Sequence, residues 1–259
     1  MIINSNYLNN MKIVAISDTH GYLPELPQCD VVVIAGDIIP LHIQKQYEES
    51  IAWLSGPFQD WALNLNCDKV IFIAGNHDFV FEKMWRGGDY ATTDPHWSMY
   101  SNPIKMRNLL FQLDDQDNPK IIYLQDSEVT YKGVKFYGTP WCPELRNWAF
   151  YGSSDELDIR FESIPEDTDV LITHCPPRFG HQGIVHETNW NYMRDFGCVE
   201  LEVIVNRKFI EKTKFTHIVS GHIHSGAHRE EFNNNIIYRN VSIKDENYEV
   251  SYQPYEFTI

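Results

Sequence analysis

The stretch KVIFIAGNHD, residues 69–78, decides the fold of this chain. Val70 to Ala74 form an apolar run without a polar interruption, and a glycine then precedes Asn76, His77 and Asp78. Such a run is typical of a strand buried on both faces of a parallel sheet. A turn at the carboxyl end of that strand then presents the polar side chains at the edge of the sheet. The stretch therefore predicts an α/β protein with its chemistry at strand ends.

The same pattern recurs along the chain in four other short apolar runs, at residues 12–17, 31–36, 170–174 and 217–222. Between these predicted strands, apolar residues recur at intervals of three and four, as on one face of a helix. One helix is predicted from Ile51, Leu54, Phe58, Trp61 and Leu65, with a break at Gly56-Pro57 into two pieces, and another from Leu201, Ile204, Val205 and Phe209.

Two further pairs of segments have the composition of paired strands. EVTYKG and VKFYG, at 128–138, predict a hairpin, and 236–243 is expected to pair with 248–253. Residues 85–104 and 175–197 lack periodicity and are expected to be long loops. The alternation favours a two-sheet α/β sandwich, with 1–10 as a flexible N-terminal extension and 11–259 as a single domain.

The composition limits the classes of function. The chain has 259 residues, 43% of them hydrophobic, so it is globular. Its 21 Lys and Arg against 36 Asp and Glu give a net charge of -15, which disfavours a nucleic-acid-coating surface. The sequence shows neither a membrane span nor a signal peptide, and a cytoplasmic protein is expected. Five scattered cysteines indicate neither a disulfide framework nor a cysteine zinc site, and most are expected to be buried.

Five turns after the predicted strands carry metal-type ligands. A single strand-end histidine is more often structural, but five such turns in one chain favour a shared site. Asp, Asn and His provide oxygen and nitrogen without thiolate, which suits Mn, Fe or Zn. The turns are Asp18-Thr19-His20, Gly36-Asp37, Gly75-Asn76-His77-Asp78, His174 and Gly221-His222-Ile223-His224.

These motifs resemble the signature of the calcineurin-like metallophosphoesterases, which runs DxH, GD, GNH with an acidic residue, H, and GHxH. Every element is present between Asp18 and His224. More narrowly, YLQDSEVTYKGVKFYGTPW, HCPPRFG and GCVEL are similar to the metallophosphoesterase-domain-containing subgroup, which is related to class III cyclic-nucleotide phosphodiesterases. The resemblance implies a four-layer α/β/β/α sandwich of two mixed sheets, the metallo-dependent phosphatase fold.

The resemblance also implies two divalent ions, expected to be Mn²⁺, with Fe, Zn or Mg as alternatives. His77 would act on the substrate as an acid or charge stabiliser, and Asp78 could orient its imidazole through a hydrogen bond. One ion would be held by Asp18, His20, Asp37 and His224, and the other by Asp37, Asn76, His174 and His222.

Three neighbouring residues allow two interpretations each. Arg178 could clamp a phosphate or be solvated. Trp141 could stack on a base, although packing is the more common role of such an aromatic. Cys175, beside His174, is disfavoured as a nucleophile because adjacent strand residues point to opposite faces.

The family's subclasses narrow the expected substrate. Pro40 stands where purple acid phosphatases have a tyrosine ligand, and the GDxVDRG and GNHE forms of the Ser/Thr protein phosphatases are absent. A nuclease would usually add a basic tract, so no nucleic-acid polymer is expected as a partner. A small phosphodiester remains, with a cyclic nucleotide as the expected substrate. A general phosphomonoesterase or nucleotide hydrolase, or a non-enzymatic scaffold on the same fold, are the alternatives.

Overall fold

The computed structural model describes residues 10–86, 119–143, 145, 147–186, 193–209 and 216–259. Most of the predicted N-terminal extension and most of the predicted loop at 85–104 lie outside these residues. Among the described residues, five strands form a first sheet in the order β15-β1-β2-β3-β4. β1 to β4 run parallel, and β15 pairs antiparallel with β1. Their bounds are Lys12–Ile16 (β1), Val31–Ala35 (β2), Lys69–Ile73 (β3), Ile121–Tyr123 (β4) and Tyr255–Thr258 (β15).

A second sheet of six described strands has the order β13-β14-β12-β9-β6-β5. Its four inner strands run parallel and both edge strands are antiparallel, so both sheets are mixed. The strands are Ser127–Tyr131 (β5), Val134–Thr139 (β6), Val170–Thr173 (β9), Thr216–Ser220 (β12), Glu231–Asn233 (β13) and Ile236–Asn240 (β14).

The predicted hairpin at 128–138 is confirmed as β5 and β6. The predicted pairing of 236–243 with 248–253 is confirmed only at its end. Ile243 accepts the backbone N–H groups of Ser251 and Tyr252 at 3.0 and 3.1 Å, beside a bridge between Lys244 and Val250, whereas β14 itself pairs with β12 and β13. The Asp245 carboxylate accepts the backbone N–H groups of Asn247 and Glu249 and closes the turn between these two segments. The loop predicted at 175–197 contains a short ribbon, Ile184–His186 (β10) with Met193–Asp195 (β11).

The helices cover the outer faces of the sheets. The expected break at Gly56-Pro57 is a π-helical turn, Leu54–Phe58, through which the helical path continues. A wider turn accommodates a proline that lacks an N–H donor. The described α-helices are Tyr47–Trp53 (α1), Gln59–Asn64 (α2), Phe79–Arg86 (α3), Ser154–Glu162 (α4) and Val199–Phe209 (α5), and a second ribbon joins Cys142–Pro143 (β7) to Tyr151–Gly152 (β8).

The central strands are buried on both faces, as their continuous apolar runs predict. Val33 and Ile71 face the second sheet, in one cluster with Ile172. Phe72 points outward instead and packs against Phe58 of the helical segment, with ring centroids 5.4 Å apart. Together with α4 and α5 on the far side, this arrangement is the expected α/β/β/α sandwich.

The carboxyl ends of the parallel strands from both sheets meet at one edge. Ser17, after β1, donates its backbone N–H to the carbonyl of Val241 and accepts the N–H of Ile243, at 2.8 and 3.1 Å. These bonds tie the end of β1 to the chain that follows β14. Loops from both sheets therefore open into a single crevice.

Candidate metal centre

The structure brings together all seven side chains that the sequence predicts as metal ligands. Each follows the carboxyl end of a buried parallel strand by one to four residues, and their backbones are linked across the crevice. For example, the backbone N–H of His222 donates to the carboxylate of Asp18 at 3.0 Å. The seven are Asp18 and His20 after β1, Asp37 after β2, Asn76 after β3, His174 after β9, and His222 and His224 after β12.

One group of donors consists of Asp18, His20 and His224, whose ligand atoms lie within 4.8 Å of one another. His224 donates from Nδ1 to the carbonyl of Asp245, which leaves Nε2 facing the carboxylate of Asp18 at 3.2 Å. His20 is buried, and neither of its ring nitrogens has a hydrogen-bond partner among the described residues. Because buried polar atoms are rarely unpaired, this imidazole indicates a site for a cation.

A second group surrounds the amide oxygen of Asn76. Its Oδ1 lies 2.9 Å from Nε2 of His174 and 2.8 Å from Nδ1 of His222. His174 donates from Nδ1 to the carbonyl of Ala35 at 2.8 Å, so its Nε2 is directed at the crevice. A backbone hydrogen bond of this kind fixes the tautomer and the orientation of a metal-binding imidazole.

Asp37 lies between the two groups. Its Oδ2 is 3.3 Å from Nε2 of His174 in the second group and 4.0 Å from Nε2 of His20 in the first. Its Oδ1 accepts the backbone N–H of His77 at 2.8 Å, which fixes the carboxylate plane. Asp37 is therefore the carboxylate that faces both groups of donors.

The backbone is strained at four of the seven residues. Asp18, His20, Asp37 and His222 have φ values of 54°, 45°, 55° and 67°, in the left-handed region. Such conformations cost of the order of 1–3 kcal/mol each and persist only where the surroundings enforce them. Four of the seven donors therefore lie on a backbone that the surrounding structure must hold in place.

Two glycines allow the donors to approach the backbone closely. A Cβ at Gly75 would lie 2.3 Å from Oδ1 of Asp37, and a Cβ at Gly221 would lie 2.1 Å from Oδ2 of Asp18. No side chain fits in these gaps. The glycine before each motif is therefore required by the packing of the carboxylates.

Electrostatics pair two imidazoles with the two carboxylates when metals are not bound. Burial opposes the positive charge of both imidazoles, but a neighbouring carboxylate outweighs the effect of burial in each case. Asp37 raises the pKa of His174 to about 10, and Asp18 raises the pKa of His224 to about 9. Burial likewise opposes the charge on Asp18 and Asp37, yet the pairing with His224 and His174 holds both pKa values well below the usual range. Divalent cations would replace these two protons.

The other two histidines of the set are kept neutral. Burial is the main cause that lowers the pKa of His20 to about 4 and that of His222 to about 3. A neutral imidazole is the form that coordinates a metal. The mixed oxygen and nitrogen donors, the buried unpaired His20 and the paired carboxylates thus fit two divalent cations.

His77 faces the same crevice, and its ligand atom lies within 4.8 Å of those of His20 and Asp37. Its Nε2 lies 3.9 Å from Oδ2 of Asp37, and its Nδ1 forms a short hydrogen bond with Oε1 of Gln44. Burial lowers the pKa of His77. Gln44 could not be predicted from the sequence, since it belongs to no motif and lies in the segment between β2 and α1.

The predicted hydrogen bond from Asp78 to His77 is wrong. The Asp78 carboxylate accepts the backbone N–H groups of Ile38, Ile39 and Gly75, at 3.1, 3.0 and 2.8 Å. Burial is the main cause that raises its pKa to about 7. Asp78 therefore joins the loop after β3 to the loop after β2, and it reaches the chemistry through the backbone.

Two aromatic residues that sequence analysis also missed stand beside the histidines. The Trp148 ring lies 4.4 Å from that of His77, and the backbone N–H of the next residue donates to the carbonyl of Asn76 at 3.0 Å. The Tyr248 ring lies 5.0 Å from His20 and 5.2 Å from His224. Both side chains are partly exposed, at the rim of the crevice.

Trp141 and Arg178, the two predicted substrate contacts, both have protein partners in the structure. Trp141 is 1% exposed and donates from Nε1 to Asp126, while the guanidinium of Arg160 lies 3.5 Å from its ring. It is a packing residue with no open face for a base. Arg178 is half-exposed, and its Nε lies 3.4 Å from the carboxylate of Asp195.

Comparisons with known proteins agree with this geometry. A family model described as calcineurin-like phosphoesterase matches residues 11–226. Metallophosphoesterase domain-containing protein 1 of Homo sapiens is 32% identical over 218 residues, covering 83% of this chain and 61% of that protein, and the protein of the same name in Mus musculus gives the same values. The chain thus spans about three fifths of the length of these relatives.

A solved crystal structure shows the same fold at low sequence identity. It is 14% identical, superposes with a TM-score of 0.58, and the match covers 89% of this chain and 90% of that one. In the part of the chain that the structure describes, no helix is long and apolar enough to cross a bilayer.

Proposed function

The chain belongs to the calcineurin-like phosphoesterase family, and from this premise we propose that it is a dinuclear metal-dependent phosphodiesterase that hydrolyses cyclic nucleotides. The observation that carries the proposal is the position of Asp37, whose Oδ2 lies 3.3 Å from Nε2 of His174 in one group of donors and 4.0 Å from Nε2 of His20 in the other. Paired divalent ions activate water and polarise a phosphoryl oxygen during displacement. Mn²⁺ is the proposed native ion, since mixed carboxylate, amide and imidazole donors suit it.

The protein's own contribution is to hold the donors before a cation arrives. His174 and His224 are each anchored through Nδ1 to a backbone carbonyl, so that Nε2 faces the crevice. One ion would be held by Asp18, His20, Asp37 and His224, and the other by Asp37, Asn76, His174 and His222. Two cations of charge +2 outweigh the two carboxylates, so an anionic phosphate would meet a positive centre.

His77 is the proposed group for contact with the substrate. Gln44 holds its Nδ1, so the ring turns Nε2 toward the carboxylate that both ions would share. When both ring nitrogens carry protons, Nε2 can donate to the leaving oxygen or to a phosphoryl oxygen. The first role accelerates loss of a poor leaving group such as a ribose alkoxide.

Two features support a small nucleotide rather than a polymer. Trp148 and Tyr248 offer partly exposed rings next to His77 and His20, and stacking of a base on an aromatic ring contributes about 1–3 kcal/mol. The net charge of -15 opposes the approach of a long polyanion.

A cytoplasmic location is proposed as well. All five cysteines are free thiols, and three of them are buried. Free thiols without disulfides fit a reducing compartment.

Activity toward a panel of phosphoesters tests the proposal. Protein stripped with a chelator should lose activity, and Mn²⁺ should restore it at least as well as Mg²⁺. The panel contains 2′,3′- and 3′,5′-cyclic nucleotides, a linear diester, monoesters and DNA. Cyclic nucleotides should be hydrolysed fastest and DNA slowly. Arg207→Ala serves as a matched control, because its exposed side chain on α5 pairs with Glu162 of α4, and it should retain full activity.

Three outcomes would contradict the proposal in different ways. Full activity in protein shown to be metal-free by elemental analysis would exclude the mechanism. Monoesters hydrolysed faster than every diester would favour the general phosphomonoesterase or nucleotide hydrolase. No hydrolysis of any ester by the Mn²⁺-loaded protein would favour a scaffold, although all seven donors are present.

A further inference from the structure

A sixth strand end delivers a metal-type donor to the same crevice. β6 runs parallel to β9, with Thr139 paired to Thr173, so the two strands end at the same level of the sheet. His174 follows β9 directly, and Cys142 lies three residues beyond the end of β6. The topology therefore places this cysteine next to a predicted ligand, although their positions in the sequence are 32 residues apart.

The ligand atoms of Cys142, His174 and His222 lie within 4.8 Å of one another. The two imidazoles are the ones that meet at Oδ1 of Asn76, at 2.9 and 2.8 Å. Cys142 is fully buried, and its Sγ has only a long contact of 3.9 Å to the carbonyl of Pro140 and the neighbouring thiol of Cys175. A thiol in this position can move to a cation without breaking a strong hydrogen bond.

The other two buried thiols lie outside this cluster of donors. The Sγ of Cys175 lies 3.6 Å from the carbonyls of Pro176 and Phe196. The Sγ of Cys198 lies 3.4 Å from the carboxylate of Glu200. Of the three buried cysteines, Cys142 alone belongs to a cluster of metal-type donors among the described residues.

We propose that Cys142 is an additional ligand at the position formed by Asn76, His174 and His222, and that it gives this position an affinity for thiophilic divalent cations such as Zn²⁺, Cd²⁺ and Co²⁺. On binding, the Sγ–H bond breaks, the proton passes to solvent and the thiolate forms a bond to the cation, with no change of oxidation state. The inference rests on the metal position of the proposed function but not on the reaction.

The donor set predicts a difference between metals. Thiolate favours Zn²⁺ and Cd²⁺, whereas Mn²⁺ favours oxygen and imidazole. The thiolate would add to the two imidazoles, the amide oxygen and the shared carboxylate of Asp37, and Zn²⁺ binds both thiolate and imidazole well. Zn²⁺ should therefore bind more tightly here when Cys142 is present, while Mn²⁺ binds without the thiol.

Absorption spectroscopy of the Co²⁺-loaded full chain tests the ligand directly. Wild type should show a thiolate-to-cobalt charge-transfer band in the near ultraviolet, and Cys142→Ala should lack it. Cys175→Ala, which removes the neighbouring buried thiol, is the matched control and should keep the band. Competition with Mn²⁺ measures the affinity for Zn²⁺. Cys142→Ala should lose Zn²⁺ affinity by at least roughly 10- to 100-fold, which is the loss caused by removing a hydrogen-bond partner of a metal ligand.

Mn²⁺ stoichiometry shows whether the variant is intact, because Cys142→Ala should still bind as many Mn²⁺ ions as wild type. Cys142→Ser is the second variant if alanine leaves a destabilising cavity. A band of equal intensity in wild type and in Cys142→Ala, or its loss in Cys175→Ala, would overturn the inference. So would Co²⁺ binding to wild type without a band. A protein that shows the band and hydrolyses no phosphoester would refute the proposed function while supporting the thiolate ligand.

Discussion

A single methyl group added at Gly75 should disturb both groups of donors at once. The φ of this glycine lies outside the left-handed region, so alanine is compatible with the backbone and the effect is steric. The added Cβ would lie 2.3 Å from Oδ1 of Asp37, 2.6 Å from Cε1 of His174 and 2.7 Å from the backbone nitrogen of Asp37. Rotation of one side chain cannot relieve a contact with backbone, so the loops after β2 and β3 must separate.

The size of the displacement follows from these contacts. Real Cβ atoms essentially never approach closer than 3.0 Å, and the difference between 3.0 and 2.3 Å requires a shift of about 0.7 Å. A misplacement of 1 Å at a catalytic site can cost about 10²-fold in rate. Overpacking typically costs 1–3 kcal/mol of stability. We expect Gly75→Ala to lower the free energy of unfolding by about this amount, to weaken metal binding and to reduce kcat by about 10²-fold.

Equilibrium dialysis against Mn²⁺ with elemental analysis measures the metals, and chemical denaturation in the presence of a chelator measures stability. Gly56→Ala is the matched control, because no atom lies within 4 Å of its Cβ position and it lies in the π-helical turn. It should leave metal content and kcat unchanged. Wild-type Mn²⁺ affinity and kcat in Gly75→Ala would refute the packing argument.

Three further predictions concern the donors themselves. Asp37→Ala should lose both ions because its carboxylate faces both groups of donors, whereas His20→Ala should weaken mainly one metal position. Two bound ions and normal turnover in Asp37→Ala would contradict the bridging assignment. His77→Ala should keep both metals and lose about 10²- to 10⁴-fold in kcat on a cyclic nucleotide but much less on a nitrophenyl diester, whose leaving group needs no proton; equal losses would indicate that it positions the phosphate. The metal-free protein should lose thermal stability as pH rises from 6.5 toward 10. The pKa values of His174 and His224 are raised to about 10 and about 9, so their ion pairs contribute fully below pH 6.5 and disappear as the rings lose their protons. Mn²⁺ should remove this slope, and a Tm that rises over the same range without metal would show that the sign is wrong.

Much of the fold could be predicted because its signals are local. Continuous apolar runs predicted the buried parallel strands, and a hairpin composition predicted β5 and β6. The neighbours of β14 in the sheet could not be predicted from the sequence, because β14 pairs with β12 and β13 rather than with the segment that follows it. After the turn at Asp245, the segment 248–253 contacts Ile243 and Lys244, which follow β14, rather than β14 itself.

The candidate site divides in the same way. The seven donors could be predicted to meet because each follows a buried parallel strand, and such strands end at one edge of a sheet. Gln44, Trp148 and Tyr248 could not, since each reaches the crevice from a loop that carries no motif. Asp78 shows the opposite error: it adjoins His77 in the sequence, but its carboxylate points to the backbone of another loop.

The sequence by itself determined the order of the strands along the chain, the glycine turns after them and the donor types that each turn carries. Only the tertiary structure decided which side chains from separate turns come into contact. Oδ2 of Asp37, for example, lies between Nε2 of His20 and Nε2 of His174. It also decided that the fully buried Cys142 faces two imidazoles while Cys175 does not. The physical reason is that periodicity and turn chemistry act over a few residues, whereas contacts across the crevice depend on how two sheets pack and on where each loop then has room to lie.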